Sequence, residues 1–260
     1  MRNVSPEKLS VSVLCPTRGR PENLKRLHDS IKDTCRGPVA LHVYCDEDDP
    51  RLGEYDIPHH TGPDYEFAMK CHILASSCMG HILMMCGDDA VFHTKHWDDA
   101  LRECQVRYKD GIWCASFWDG TSGKPEEYDV VQNDKGENLQ VPKPGTAFKT
   151  THPHPAVTCD VFNTLGYVAN PMFRHFSTDP WLTDMFKAID RFEYIPKVRC
   201  DHLRAGLVQG IEEDSTHGKM RPNGKGWISE RDRTVCHMFK KYQNLDIELL
   251  KLKMKEFDDV

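Results

Sequence analysis

The chain has 260 residues, 39% of them hydrophobic, and a formal net charge of −6. This length supports one sizeable buried core, and the acidic balance means that any nucleic-acid binding would depend on a local basic surface. No run approaches the roughly 20 apolar residues of a membrane span, and residues 1–7 lack the apolar segment of a signal peptide. We expect a soluble intracellular protein that does not bind membranes.

The first half of the chain alternates strand and helix patterns. A strand is predicted at Leu9–Pro16, and the apolar spacing of Pro21–Ile31 predicts a helix with Pro in its first turn. A second strand at Val39–Cys45, a helix around Phe67–Met79 and a third strand that ends at Asp88 follow. This order predicts a parallel α/β sheet with its chemistry at the carboxyl ends of the strands.

Each predicted strand ends in polar or charged residues, namely Thr17 to Arg20, Asp46 to Asp49, and Asp88 with Asp89. Such ends converge on one crevice in an open parallel sheet. Paired carboxylates at the end of a buried strand suit Mg²⁺ or Mn²⁺ bound to a nucleotide diphosphate. The alternative is a turn at residues 87–89, with an Asp capping the helix predicted from His96.

Other site classes lack support in the sequence. No GxGxxG follows the first strand and no GxxxxGK[ST] occurs, which disfavours dinucleotide dehydrogenases and P-loop enzymes. The 11 cysteines are an odd number without CxxC pairs, which argues against a disulfide framework and a structural zinc site. We expect most of them to be reduced core residues.

Several motifs together resemble GT-A glycosyltransferases, especially the family-two-like group. In the nucleotide-sugar-binding half they are Leu14–Pro21, the strand that ends in Asp46, and Gly87-Asp88-Asp89. In the acceptor half they are His152–Tyr167, Ser177–Asp184, Asp190-Arg191 and Cys200–His202. Over about residues 9–205 the chain is most similar to small glycosyltransferases encoded by bacteriophages.

The resemblance implies a GT-A fold, a Rossmann-like nucleotide-sugar-binding α/β sheet with helices on both faces and a C-terminal helical extension. It implies one domain at residues 1–205, with a nucleotide-binding half at about 9–115 and an acceptor half at about 116–205. Residues 206–260 would form a mobile basic loop and C-terminal helices packed on the same domain. A polar loop or hairpin is predicted at Gly120–Pro144, near the acceptor entrance.

The resemblance also implies a donor site and a metal site. The donor-binding positions are Pro16, Thr17, Arg18, Arg20, Asp46 and Asp88. Arg18 would contact the diphosphate, and Asp46 would contact the uracil or the ribose. Asp88, Asp89 and His202 would bind Mn²⁺ or Mg²⁺, and which of the two carboxylates coordinates directly stays open.

Asp179 matches the general base of inverting members, which deprotonates the acceptor hydroxyl as it attacks the anomeric carbon. The alternative is that Asp179 caps a helix over Trp181–Ile189, and Asp184 is its nearest competitor as the base. The candidate acceptor-site residues are His152, His154, Trp181 and Asp184.

The resulting prediction is metal-dependent, inverting transfer of a sugar from a nucleotide sugar, in particular a UDP-sugar, to a hydroxyl group. The bacteriophage-like motifs favour 5-hydroxymethylpyrimidine in DNA as the acceptor, with Lys and Arg of residues 217–241 on phosphates, in the cytoplasm of the host. A saccharide or protein acceptor is the alternative. A nucleotidyltransferase or a non-catalytic nucleotide-sugar-binding module is the alternative from another class.

The oligomeric state stays open in the sequence. Apolar residues crowd positions 245–252 in a segment that predicts one or two amphipathic helices. Packing on the core or a dimer contact through these helices would explain them.

Overall fold

A computed structural model describes residues 5–120, 128–132, 138–142, 152–175, 177–203 and 227–258. The basic loop expected after residue 205, which contains Lys219, Arg221 and Lys225, lies outside these residues up to residue 226. No helix in the described part is both long and apolar enough to cross a membrane.

An eight-stranded mixed sheet forms the centre of the molecule. Its spatial order is β3 (His60–Gly62), β2 (Val39–Asp46), β1 (Val11–Thr17), β4 (Ile82–Met85), β9 (Ala156–Thr158), β6 (Cys114–Trp118), β10 (Phe192–His202) and β5 (Ala90–Phe92). Strands β1, β2 and β4 are parallel, as predicted, and β3, which was not predicted, pairs in parallel with β2. The predicted parallel order does not extend to the rest of the sheet, because β9 runs antiparallel to both its neighbours and β5 runs antiparallel to β10.

A separate two-stranded sheet lies within the polar segment after β6. It pairs β7 (Tyr128–Gln132) with β8 (Asn138–Pro142) in antiparallel register. This pairing is the hairpin form of the loop or hairpin predicted at Gly120–Pro144.

Helices cover both faces of the main sheet. They are α1 (Pro21–Thr34), α2 (Phe67–Ser77), α3 (Trp97–Arg107), α4 (Cys159–Leu165), α5 (Thr178–Ala188), α6 (Trp227–Met238) and α7 (Lys240–Asp258). Successive side chains of a strand point to opposite faces, so Val13 packs in one core with Leu27 of α1, whereas Leu14 packs in the other with Leu74 of α2. These two cores are what a sheet with helices on both faces requires.

The C-terminal helices pack on the same body, since α7 contacts α4 and α5. The apolar residues at 245–252 are divided between its two faces. Leu250 is fully buried, whereas Leu245, Leu249 and Leu252 are 60%, 46% and 55% exposed. Packing on the core therefore explains only part of this apolar cluster.

Candidate functional site

The polar segments predicted to meet do lie at one edge of the sheet. Strand β1 pairs in parallel with β2 on one side and with β4 on the other. The loop after β1, the end of β2 and the carboxylates after β4 are therefore neighbours, because the carboxyl ends of parallel strands meet at one edge.

Asp88 links β4 to the loop after β1. Its side chain is nearly buried, and both carboxylate oxygens accept hydrogen bonds. Thr17 Oγ1 donates to Oδ2 at 2.6 Å, and the Arg20 guanidinium donates to Oδ1 at 3.1 Å. Burial raises the pKa of Asp88 to about 6, with the charge of Arg20 opposing the rise and that of Asp89 adding to it.

Asp89 contacts the end of β10. Its Oδ1 lies 3.2 Å from Nε2 of His202, the last residue of that strand. The backbones are joined as well, because the N–H of Leu203 donates to the carbonyl of Asp89 at 2.8 Å. Burial acts to raise the pKa of Asp89, but the hydrogen bond and the charge of His202 outweigh it and hold that pKa below its usual range.

The Asp89 and His202 pair suits a divalent cation. Carboxylate oxygen and imidazole nitrogen are both accepted by Mn²⁺. Two ligands at right angles on bonds of about 2.1 Å lie about 3 Å apart, close to the observed 3.2 Å. The two side chains are 14% and 17% exposed, so the pair is partly open to solvent. Asp88 fits less well, because Thr17 and Arg20 already bind its oxygens.

A second acidic group lies at the end of β2, where oxygens of Asp46, Asp48 and Asp64 come within 4.8 Å of one another. Two cations already pair with these carboxylates. Arg18 lies 3.0 Å from Asp46 and also pairs with Asp48, whereas Lys70 lies 2.5 Å from Asp46 and 3.2 Å from Asp64. A metal ion here would have to displace both positive side chains, so this group fits a metal poorly.

Lys70 is a site residue that sequence reasoning missed. Its side chain is only 9% exposed, and it meets an Asp46 side chain that is completely buried. Burial acts to raise the pKa of Asp46, and the pairing with Lys70 and Arg18 opposes that rise. One signal was present, because Lys70 is the single Lys or Arg in the otherwise largely apolar helix α2.

Asp49 fixes the loop after β1 to the loop after β2. Its carboxylate accepts hydrogen bonds from the N–H of Gly19 at 2.7 Å and from the Tyr55 hydroxyl at 2.8 Å. The Tyr55 oxygen in turn accepts from the N–H of Arg20 at 3.1 Å. Gly19 has a φ of +70°, a conformation that glycine adopts without strain. This clamp sets the path of the loop that carries Arg18 and Arg20, and Pro16 precedes it within β1.

The two histidines predicted near the acceptor lie beside β10. The His154 ring is 4.6 Å from the His202 ring, and its Nδ1 is 3.4 Å from the N–H of Gly87, so His154 borders the candidate metal site. His152 packs its ring against Phe192 and Tyr194 of the same strand. Burial lowers the pKa of His152 to about 4.

The other two candidate acceptor residues lie elsewhere. Trp181 is 1% exposed, packs against Phe173 and donates its indole N–H to the Tyr167 hydroxyl at 3.1 Å. Asp184 is exposed and lies 3.4 Å from Lys240 of α7. Their positions do not support an acceptor contact, because one ring is enclosed by the core and the other side chain pairs with the C-terminal helices.

Asp179 lies in the first turn of α5 and is half-buried. The proposed cap of a helix over Trp181–Ile189 is wrong, because α5 begins at Thr178 and Ser177 is its N-cap. Thr178 Oγ1 lies 3.4 Å from Oδ1 of Asp179. Helix α5 packs on β6 and β10, and β10 is the strand that ends at His202.

Two solved structures are among those to which the chain is similar at low sequence identity. One is S. aureus TarS 1-349 in complex with UDP, with 10% identity, a TM-score of 0.52 and coverage of 74% of this chain and 59% of that chain. The other is GalNAc-T7 with UDP, GalNAc and Mn²⁺, with 13% identity, a TM-score of 0.55 and coverage of 79% and 45%. No protein-family model and no curated protein matches the chain.

The chain spans about half the length of these proteins. Both are GT-A glycosyltransferase structures. The protein therefore has the GT-A fold, which confirms the predicted fold class.

Proposed function

We propose that the protein is a metal-dependent glycosyltransferase whose donor is a nucleotide sugar, in particular a UDP-sugar. The observation that carries the proposal is the pair of Asp89 and His202 at the carboxyl edge of a GT-A sheet, next to the arginine-bearing loop after β1. The UDP in both similar structures, and the Mn²⁺ in one of them, support the same donor and ion here.

The donor binds across the ends of β1 and β2 in this proposal. Arg18 exchanges its partner Asp48, whose side chain is 61% exposed, for a diphosphate oxygen, which its planar guanidinium fits well. Arg20 lies beside it and is held by Asp88. The buried Asp46 carboxylate accepts a hydrogen bond from the base or the ribose, and Lys70 holds it in place.

Asp89 and His202 would hold the divalent ion, which would supply positive charge to the departing diphosphate. Asp179 accepts the proton of the acceptor hydroxyl while the hydroxyl oxygen forms a bond to the anomeric carbon. The bond from that carbon to the diphosphate oxygen breaks in the same step, so the anomeric configuration inverts. Such in-line displacement depends on positioning by the chain more than on covalent chemistry.

The acceptor we propose is 5-hydroxymethylpyrimidine in DNA, with a saccharide or protein hydroxyl as the alternative. Its support is the bacteriophage-like sequence and the basic residues of 217–241, of which Arg233 and Lys241 are exposed in the described part. A flipped base would need an aromatic partner. Trp118 and Trp181 are each 1% exposed and do not offer one. Action in a host cytoplasm stays a prediction.

Nucleotide release tests the proposal directly. The chain is incubated with a panel of sugar nucleotides and Mn²⁺, with duplex DNA that contains 5-hydroxymethylcytosine or matched cytosine. We expect UDP release that rises with the modified duplex only. Release that ignores both duplexes would reject the DNA acceptor and keep the transferase, whereas no release with any donor would reject the transferase.

The exposed face of α7 supports a dimer of this chain. Tyr242, Leu245, Leu249 and Leu252 recur at alternating spacings of three and four, the pattern of a seam between two helices. Glu248 and Lys253 flank this seam with opposite charges. Each pairs within its own helix, Glu248 with Lys251 and Lys253 with Glu256, and a dimer would exchange these partners for pairs across the seam. Light scattering should give twice the monomer mass, and Leu249→Lys should return it to the monomer; a monomeric parent chain would reject the dimer.

A further inference from the structure

Two polar side chains in the described part of the C-terminal helices are completely enclosed. Asp232 of α6 and Gln243 of α7 are 0% and 1% exposed. A buried carboxylate or amide is costly unless hydrogen bonds satisfy it, so the partners of these side chains carry information. Both side chains bind the same stretch of chain, which runs from Tyr167 to Trp181 and contains Asp179.

Asp232 holds the part of this stretch that precedes α5. Its Oδ1 accepts from the N–H of Arg174 at 3.1 Å, and its Oδ2 accepts from the N–H of His175 at 2.9 Å. The neighbouring Arg231 guanidinium binds Oδ1 at 2.8 Å and the carbonyl of Met172 at 3.2 Å. Helix α6 thus fixes the backbone of residues 172–175 from one side.

Helix α7 holds the other end of the stretch. Gln243 Nε2 donates to the carbonyl of Trp181 at 2.8 Å. The Asp246 carboxylate accepts from the Tyr167 hydroxyl at 2.5 Å, and that hydroxyl accepts the indole N–H of Trp181 at 3.1 Å. Asp179 therefore lies between two anchors that both come from the C-terminal helices.

The anchored backbone connects directly to the turn that carries Asp179. The backbone N–H of His175 donates to Asp232. The carbonyl of the same residue accepts a hydrogen bond from Thr178 Oγ1 at 3.0 Å. The His175 ring packs on Phe67 at the start of α2, with ring centroids 5.0 Å apart. Residue 175 is thus held between α2 and α6, and a change at Asp232 is transmitted to the first turn of α5.

We propose that Asp232 is a positioning residue for Asp179, so that the C-terminal helices are part of the catalytic apparatus. The inference rests on the proposed role of Asp179 as general base. A displacement of about 1 Å at a catalytic group costs on the order of 100-fold in rate. Loss of the Asp232 hydrogen bonds therefore reduces turnover without touching the donor site.

Asp232→Asn is the test variant, because it keeps the size of the side chain but replaces one acceptor oxygen with an NH₂ that opposes a backbone N–H. Glu230→Gln, at an exposed position on the same helix, is the matched control. We expect Asp232→Asn to bind UDP and Mn²⁺ within about twofold of the parent, with kcat about 10- to 100-fold lower and the KM for the donor unchanged. Its kcat-pH profile should shift, and Asp232→Glu should recover part of the activity.

The double variant Asp179→Asn/Asp232→Asn separates positioning from general stability. Because both substitutions act on one group, the double variant should lose no more activity than Asp179→Asn alone. Additive losses, or normal kcat in a folded Asp232→Asn protein, would overturn the proposal. Should Asp232→Asn fail to fold, Gln243→Met at the other anchor is expected to lower kcat in the same way, and unchanged kcat there would overturn it.

The control reactions distinguish the failure of this inference from the failure of the proposed function. Undiminished turnover in Asp179→Asn would reject the base, and its positioning residue with it, while the transferase itself would stand. A parent chain that releases no nucleotide from any donor, although it binds UDP with Mn²⁺, would reject both.

Discussion

Asp88 and Asp89 are adjacent carboxylates with different partners. Asp88 is bound by Thr17 and Arg20 of the loop after β1, whereas Asp89 meets His202 at the end of β10. One carboxylate therefore joins two segments of the chain, and the other remains with an imidazole at a distance suited to a shared ion. The question left open by the sequence, which Asp binds the metal directly, is answered in our proposal by Asp89.

Substitution of the two carboxylates should separate these roles. We expect Asp89→Asn to weaken Mn²⁺ binding by at least about 10-fold, because the substitution removes a metal ligand. Loss of a residue that only hydrogen-bonds to a ligand already costs about 10-fold or more. Asp88→Asn should instead disturb the loop that carries Arg20, with a smaller effect on the ion. Titration of Mn²⁺ followed by electron paramagnetic resonance measures both, and a larger loss in Asp88→Asn than in Asp89→Asn would contradict the assignment.

Lys70 should matter for stability far more than an exposed lysine does. Its partner Asp46 is completely buried, so Lys70→Met leaves a buried carboxylate with Arg18 as its remaining close cation. Breaking a buried pair costs about 3–5 kcal/mol. Lys25→Met is the matched control, because it removes an ion pair with Asp29 that is exposed to solvent and therefore contributes little to stability. Equal midpoints of urea unfolding for the two variants would show that the buried pair is not coupled to folding.

At the scale of elements, α3 is joined to the start of β2 by a buried carboxylate. Asp98 is completely buried and accepts from the N–H of Arg36 at 3.0 Å and of Gly37 at 2.8 Å. The Arg102 guanidinium, one turn later, binds the same carboxylate at 2.5 Å. Burial acts to raise the pKa of Asp98, but these hydrogen bonds outweigh it and lower the pKa.

The lowered pKa of Asp98 predicts a dependence of stability on pH. The ionised side chain stabilises the folded state above the unfolded-state pKa of about 3.9, and this contribution is lost as pH falls through the lower folded-state pKa. The difference in unfolding free energy between the parent and Asp98→Asn should therefore be largest near neutral pH and shrink below about pH 4. Urea titrations of both proteins near neutral pH and below about pH 4 measure this difference in unfolding free energy. Asp33→Asn, at an exposed position, is the control. A difference that does not vary with pH would contradict the account.

Hydrophobic periodicity predicts helices and strands that are determined by residues close together in the sequence. Strands β1 and β2 and helices α1 and α2 lie where this periodicity indicates. Strand β5 is different, because the predicted third strand ends at Asp88 and the pattern does not indicate a further strand at Ala90–Phe92. After the turn at Gly87, β5 leaves β4 and pairs with β10 at the far edge. Such pairings depend on residues distant in the chain, which periodicity does not contain.

The same distinction applies to the candidate site. Asp46, Asp88 and Asp89 are predictable because they follow strands, and strand ends meet in a parallel sheet. Lys70, which pairs with Asp46, and Asp232, which binds the backbone before α5, are not, since both lie on helices whose positions depend on tertiary packing. Each is a charged residue at a buried position of a helix. In the sequence alone this is a weak signal, because the group that pairs with the charge is known only from the structure.

At the scale of the whole molecule, the candidate site collects groups from distant parts of the chain. In the proposed site, the loop after β1 supplies the arginines, the turn after β4 supplies Asp89, β10 supplies His202, and α5 supplies Asp179. The C-terminal helices bind the stretch before and within α5. In this proposal the sheet arranges the donor side, and its helical extension arranges the base.

Calorimetric titration of UDP into the full chain, in Mn²⁺ and then in EDTA, is the most direct test of the central claim. The account predicts saturable binding of UDP in Mn²⁺ that is strongly weakened in EDTA, with ADP binding more weakly under both conditions. Equal affinity for UDP with and without the ion would contradict the metal site. Absence of UDP binding in both buffers would contradict the proposed nucleotide-sugar donor.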